Sequence, residues 1–152
     1  MSQRYDISWG TLLGDCKELA RDIGSCDAIV AIGRGGLIPG TFIAYMLDVP
    51  VVNFSMSSYT DERAGEIVIN QIPGLKFNSE FRDKRVVIVD DLSDKGATLS
   101  AAKDYFESCE FADFKFATLY MKNSTKFVPN FYIKKFADDI WLDFPWDTCK
   151  LD

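Results

Sequence analysis

Residues 86–100 read Val86-Val87-Ile88-Val89-Asp90-Asp91-Leu92-Ser93-Asp94-Lys95-Gly96-Ala97-Thr98-Leu99-Ser100. The β-branched run Val86–Val89 predicts a short strand buried on both faces, as in a parallel sheet. Two acids stand where that strand ends, a turn with Gly96 follows, and Thr98 is placed to cap a helix beginning near Leu99. In open α/β sheets ligands bind beyond the carboxyl ends of the strands. Backbone N–H groups of such a turn and helix start can hold a phosphate, while Asp90 and Asp91 can hold sugar hydroxyls or magnesium. One turn thus offers both halves of a sugar-phosphate site. An acidic pair also closes many strands without chemistry, and phospho-acceptor or metal-dependent phosphatase sites carry one too. None of these calls for a third acid, a glycine and a threonine at these offsets.

The chain on either side alternates strand and helix. Ser8 predicts the cap of a first helix with Leu12, Cys16, Leu19 and Ile23 on one face and Gly24 as its stop. Ala28–Ile32 reads as a buried strand that runs into Gly33-Arg34-Gly35-Gly36-Leu37-Ile38-Pro39-Gly40. Pro39 suits the first turn of the next helix. This is a second glycine-rich loop, and Arg34 makes it a phosphate candidate because guanidinium binds phosphate oxygens bidentately. Val49–Ser55 predicts a strand, residues 56–66 a polar loop, Ile67–Ile69 the return of a β-ribbon and Asn70–Glu80 a connection. Phe114–Met121 predicts a strand ending at Lys122, and Asn130–Phe136 and Asp139–Phe144 are the last extended segments. The fold expected is α/β, a doubly wound and mainly parallel sheet flanked by helices.

Composition narrows the chemistry. The 152 residues predict one domain, 1–152, large enough for a core. A net charge of −6 argues against a nucleic-acid surface, which would be basic. No apolar run approaches membrane-spanning length and residues 1–6 hold no signal-peptide core, so a cytoplasmic protein is expected. The four cysteines form no CxxC pair, and Cys16 and Cys109 are expected as buried free thiols. With no histidine, Ser-His-Asp and Cys-His catalysis are excluded. Acid–base work falls to carboxylates, lysine, tyrosine or water.

Residues 86–100 resemble the PRPP-binding motif of type I phosphoribosyltransferases: an apolar strand, two acids, two residues, then Asp-Thr-Gly-x-Thr. Lys95 stands where the family has its first Thr. Gly33–Gly40 resembles the pyrophosphate loop of the bacterial xanthine-guanine enzymes. Trp9, Ser57-Ser58-Tyr59, Lys122 and Trp141 through Pro145-Trp146-Asp147 extend the likeness nearly end to end. The resemblance implies a Mg²⁺-dependent purine salvage enzyme that moves phosphoribosyl from PRPP to a 6-oxopurine, as a homo-oligomer (dimer or tetramer) without nucleic-acid or membrane partners. It implies that Asp90 and Asp91 bind the ribose hydroxyls or the metal, and that Asp94 acts as general base. Asp94, Lys95, Gly96, Ala97 and Thr98 would cradle the 5′-phosphate, and Arg34, Gly35 and Gly36 the pyrophosphate. Ser57, Ser58 and Tyr59 would begin a hood loop. Lys122, Trp141 and Leu142 would hold the base, with Asp143 and Asp147 near its 2-position. A non-proline cis peptide is expected at Arg34–Gly35. A regulatory PRPP- or nucleotide-binding module and a transferase for a different base are the alternative readings.

Overall fold

The computed structural model describes residues 3–58 and 66–151. Strand β1 (Gln3–Asp6) leads into helix α1 (Trp9–Ile23), then β2 (Ala28–Gly33), α2 (Leu37–Leu47), β3 (Val51–Ser58) and β4 (Ile67–Gln71). Next come α3 (Leu75–Phe81), β5 (Arg85–Ser93), α4 (Ala97–Ser108), β6 (Asp113–Lys122), β7 (Lys134–Phe136) and β8 (Ile140–Asp143), with a final 3-10 turn over Pro145–Thr148. Six strands form the main sheet in the order β4-β3-β2-β5-β6-β7. All neighbours pair parallel except β4, which returns antiparallel on β3.

The period of two along each central strand sends its side chains into two separate cores. On β5, Val87 and Val89 join Ile29 of β2, Leu119 of β6 and the inner faces of α1 and α2. Val86 and Ile88 point the other way, with Val30, Ile32 and Phe116, onto Phe77 and Phe81 of α3 and Leu99, Ala102 and Phe106 of α4. Helices thus cover both faces, which is why the runs Ala28–Ile32 of β2 and Val86–Val89 of β5 are apolar on both sides. Ser8 caps α1 as expected, its Oγ accepting from Thr11 N at 3.1 Å. Cys16 is buried on that helix, and burial pushes its thiol up to about 12, so it is packing rather than a nucleophile. All four cysteines are free. Tyr120, buried in β6, donates to Asp15 Oδ2 at 2.5 Å and fastens α1 to the sheet.

The structure corrects several boundaries. The strand carrying the acidic pair does not stop at it: β5 continues to Ser93, paired through Leu92↔Tyr120 and Ser93↔Met121. Helix α4 opens at Ala97 with Gly96 as its cap residue, so Thr98 lies inside the first turn and caps nothing. The connection 70–80 contains α3. The N-terminal segment, all exposed, forms β1 and pairs parallel with β8 from Gln3↔Ile140 to Asp6↔Asp143 in a second, two-stranded sheet. No helix among the described residues is long and apolar enough to cross a membrane.

Two successive units run outward from the sheet's middle in opposite directions: β2 leads by way of α2 to β3, and β5 by way of α4 to β6. The turn-around lies between β2 and β5, which pair from Ala28↔Val86 to Ala31↔Val89. A crevice opens there at the carboxyl ends of the strands, the place where this architecture binds ligands.

Candidate active site

The loop leaving β2 and the acids of β5 meet in that crevice. Gly33, Arg34, Gly35, Asp90, Asp91 and Thr98 line a cavity of ≈ 580 Å³, closed on one side by Ser55–Ser58 of β3 and by Asn70 of β4. A cis peptide joins Gly33 to Arg34, one bond earlier than expected. The two glycines after Arg34 differ. Gly35 faces the cavity, and a Cβ there would collide with the Asp91 carboxylate. Gly36 is buried, donates its N–H to Ile32 O at 2.8 Å, and would drive a Cβ into Val89 O. Its N–H is therefore spent within the loop, and of the two glycines only Gly35 faces the cavity.

Asp90 is 7% exposed, and its Oδ1 accepts from Asp91 N at 2.8 Å. Burial raises its pKa well above the usual carboxylate range, and the neighbouring Asp91 charge raises it further. Asp91 is raised as well, chiefly by burial. Two carboxylates held close with so little water ask for positive charge or hydroxyl donors. A magnesium ion fits that request: it binds through one or two carboxylates and completes its shell with water and substrate phosphates. No cluster of three or more metal-ligating side chains exists among the described residues.

Beside this cavity, sharing Ser58 and Thr98 with it, lies a second of ≈ 390 Å³ formed by Leu92, Ser93, Asp94, Lys95, Gly96, Ala97, Thr98 and Leu99 with Ile67. Helix α4 has no side-chain cap, so its first-turn N–H groups are open to an anion. Gly96 takes φ +97°, and a Cβ would strike Phe127 N and its side chain. The segment carrying Phe127 buttresses the loop. Ser93 Oγ donates to Phe127 O at 2.8 Å and lies 2.9 Å from Thr125 Oγ1, while Lys126 N donates to Lys95 O at 3.2 Å. Nothing in the sequence marks this support, because Ser93, Thr125 and Phe127 carry no pattern before β5 and the 123–131 loop are brought together.

A third cavity, of ≈ 330 Å³, shares Leu92, Asp94 and Lys95 with the second and adds Lys122, Asp138, Asp139, Ile140, Trp141 and Leu142. Lys122 is 6% exposed rather than solvated, and its Nζ donates to Ile140 O and, at 3.4 Å, to Ala137 O. That contact ties the end of β6 to the turn before β8. Trp141, 59% exposed, and the buried Leu142 both border the cavity. Asp143 is occupied elsewhere: Arg4 Nε and Nη2 grip it at 2.8 and 2.6 Å and hold its carboxyl below the usual range. Asp147 accepts from Phe144 N at 2.8 Å and closes the final turn. Trp9 packs edge-on against Trp146, away from the three cavities. Ser57 and Ser58 belong to β3 rather than to a loop, and Tyr59 lies outside the described residues.

Known proteins share this fold and much of this sequence. A family model described as phosphoribosyl transferase domain matches residues 8–152. A relative named xanthine-guanine phosphoribosyltransferase from Desulfotalea psychrophila is 34% identical over 149 residues, covering 95% of this chain and 86% of its own. The crystal structure of a purine phosphoribosyltransferase from Pyrococcus horikoshii superposes with a TM-score of 0.84 at 30% identity, over 98% of this chain and 97% of that one. The xanthine-guanine-hypoxanthine phosphoribosyltransferase of Helicobacter pylori gives 0.82 at 26% identity, over 97% and 96%. A doubly wound sheet whose switch point carries a buried acid pair beside an open helix start, matched over nearly its whole length, places this chain in the phosphoribosyltransferase family.

Proposed function

We propose that the chain transfers 5-phosphoribosyl from PRPP to a 6-oxopurine, releasing pyrophosphate and a nucleoside 5′-monophosphate. One observation carries the reading: Asp94 and Lys95 line both the helix-start cavity and the cavity under Trp141. A single loop can therefore touch a 5′-phosphate and a base attached to the same ribose. The cavity of Arg34, Gly35, Asp90 and Asp91 adjoins at Thr98 and Ser58, where the leaving pyrophosphate and the ribose hydroxyls would sit.

In the reaction the C1–oxygen bond to pyrophosphate breaks, and the departing oxygen keeps the electron pair. A purine ring nitrogen bonds to C1, and its proton passes to Asp94, a positioned carboxylate in a site without histidine. The oxocarbenium-like transition state needs fixed charges and fixed geometry more than covalent help. Arg34 and the Gly35 amide hold the pyrophosphate. The N–H groups of residues 94–98 with the Thr98 hydroxyl hold the 5′-phosphate. Lys122, already turned toward the β8 side of the cavity, donates to the 6-oxo group, Trp141 stacks on the ring, and the backbone at Leu142 meets its 2-position edge. Asp90 and Asp91 would hold magnesium, which when bound offsets the charge of pyrophosphate. Ser57 and Ser58, at the end of β3, border the cavity where the pyrophosphate would sit.

The test is pyrophosphate release with PRPP, Mg²⁺ and a panel of bases. Release is expected with 6-oxopurines and little with adenine, which lacks the group Lys122 addresses, and excess EDTA should abolish it. PRPP binding without turnover on any base would make the chain a nucleotide-binding module instead. Release with a pyrimidine alone would move the acceptor class.

Lys95 replaces the family's Thr and is exposed at the rim shared by phosphate and base cavities. Its ammonium supplies a charge-assisted contact to the 5′-phosphate in place of the lost hydroxyl. Lys95→Ala should weaken PRPP and the product monophosphate together by about fivefold, the scale of one exposed charge contact. Lys95→Thr should recover part of the loss. Unchanged calorimetric affinity for Lys95→Ala would leave that side chain in solvent.

A further inference from the structure

We infer that Ser93 is a positioning residue for the 5′-phosphate, holding the turn after β5 in the shape that aims its N–H groups at that ligand. This rests on the reading of the helix-start cavity as the phosphate site. The turn is short: β5 ends at Ser93 and α4 opens at Ala97, so Asp94, Lys95 and Gly96 make it alone. Asp94 and Lys95 are exposed, and no side chain caps α4. Such a turn grips an anion well only if its donors already converge, because ordering them on binding weakens the complex. What fixes it must therefore come from outside the turn.

The support comes from residues 125–127. Lys126 N donates to Lys95 O at 3.2 Å. Gly96 lies so close that a Cβ there would stand 2.8 Å from Phe127 N and 2.9 Å from Phe127 Cβ. The first contact is backbone to backbone, and the second needs only a glycine. The third is written in side chains. Ser93, 2% exposed, donates its one hydroxyl proton to Phe127 O at 2.8 Å. That leaves Thr125 Oγ1, 2.9 Å away, to donate to Ser93 Oγ. Residues 124–127 are anchored in turn. The Phe127 ring meets Phe116 of β6 edge-on at 4.9 Å and packs on the core beneath α3 and α4. Thr125 N donates to Lys122 O at 3.2 Å, and Ser124 N to Asp138 Oδ1 at 3.1 Å. Without the Ser93 hydroxyl, Phe127 O and Thr125 Oγ1 both lose a partner, and the turn is free to relax away from its support. Since that proton is committed to Phe127 O, Ser93 acts on the phosphate through the turn and not by touching it.

The experiment compares two ligands by calorimetry. A purine nucleoside 5′-monophosphate reads the turn, whereas pyrophosphate with Mg²⁺ reads Arg34, Gly35 and the acid pair. Ser93→Ala should weaken the monophosphate about fivefold, the scale of one net hydrogen bond, and leave pyrophosphate unchanged. Thr125→Val keeps the shape and removes one hydroxyl, and should give a smaller loss for the monophosphate alone. Because both hydroxyls act through one contact, the double variant should lose no more than Ser93→Ala does. Should Ser93→Ala fail to fold, Thr125→Val carries the same comparison. Equal weakening of both ligands would mark a general loss of structure and overturn the inference, as would unchanged monophosphate affinity or losses that simply add. A wild-type protein that binds pyrophosphate but no monophosphate would instead remove the reading beneath it.

Discussion

Asp94→Asn should lower kcat by roughly 10²–10⁴-fold, the range for losing a positioned general acid or base. The amide matches the carboxylate in shape, and in the proposed reaction the 5′-phosphate would be held by backbone donors of residues 94–98. PRPP affinity should therefore stay near that of the wild-type protein, so the loss appears in kcat. The pH profile separates this role from a structural one. A purine that has already given its proton to solvent no longer needs Asp94, so the deficit should narrow toward alkaline pH. Single-turnover kinetics with hypoxanthine and calorimetry with PRPP check both halves. Near-normal kcat, or a deficit constant across pH, would take Asp94 out of the proton transfer.

Asp90→Asn makes the ligand-free protein more stable while weakening its grip on PRPP and Mg²⁺. Asp90 is buried beside Asp91 and its pKa is raised, so the folded state carries an unfavourable charge whenever both are ionised. Removing that charge should add about 1–3 kcal/mol to the unfolding free energy, the scale of an uncompensated buried polar group. The sign with pH follows from linkage. The unfolded carboxyl ionises near 3.9, and the folded one only at its raised value. Between those two points the native state binds more protons, so wild-type stability falls as pH rises through the window and levels above it. The variant should lack that portion of the slope. Urea unfolding at several pH values tests this, and repeating it with PRPP and Mg²⁺ should show a stabilisation in the wild-type protein that the variant loses. A variant less stable than the wild type would show that the Asp90 carboxylate serves the fold, through its bond to Asp91 N, more than the ligand.

These two acids also mark what could be read in one dimension. The apolar run Val86–Val89, the acids after it and Gly96 are local in sequence, and their structure follows local rules: β-branched residues favour strands, and only glycine sits easily at φ +97°. The capping of α1 by Ser8 and the strand–glycine loop–helix at residues 28–47 are legible for the same reason. The layout of helices on two faces follows from the runs Ala28–Ile32 and Val86–Val89, apolar on both sides, since each face needs its own cover.

What the sequence left open depended on contacts between distant segments. β1 has four exposed residues with no alternation of its own, and it exists because residues 140–143 pair with it and Arg4 reaches Asp143. Asp143, placed near the base by the family resemblance, is taken up by Arg4, a partner 139 residues away that only the folded chain supplies. Lys122 looks like any strand-end lysine until the turn before β8 folds over it and buries it against two carbonyls. The chemistry of the acid pair was written in neighbouring residues. Which distant side chains remained open to a ligand was decided by the tertiary structure, because a hydrogen bond made across the chain removes a polar group from the site as surely as a substitution would.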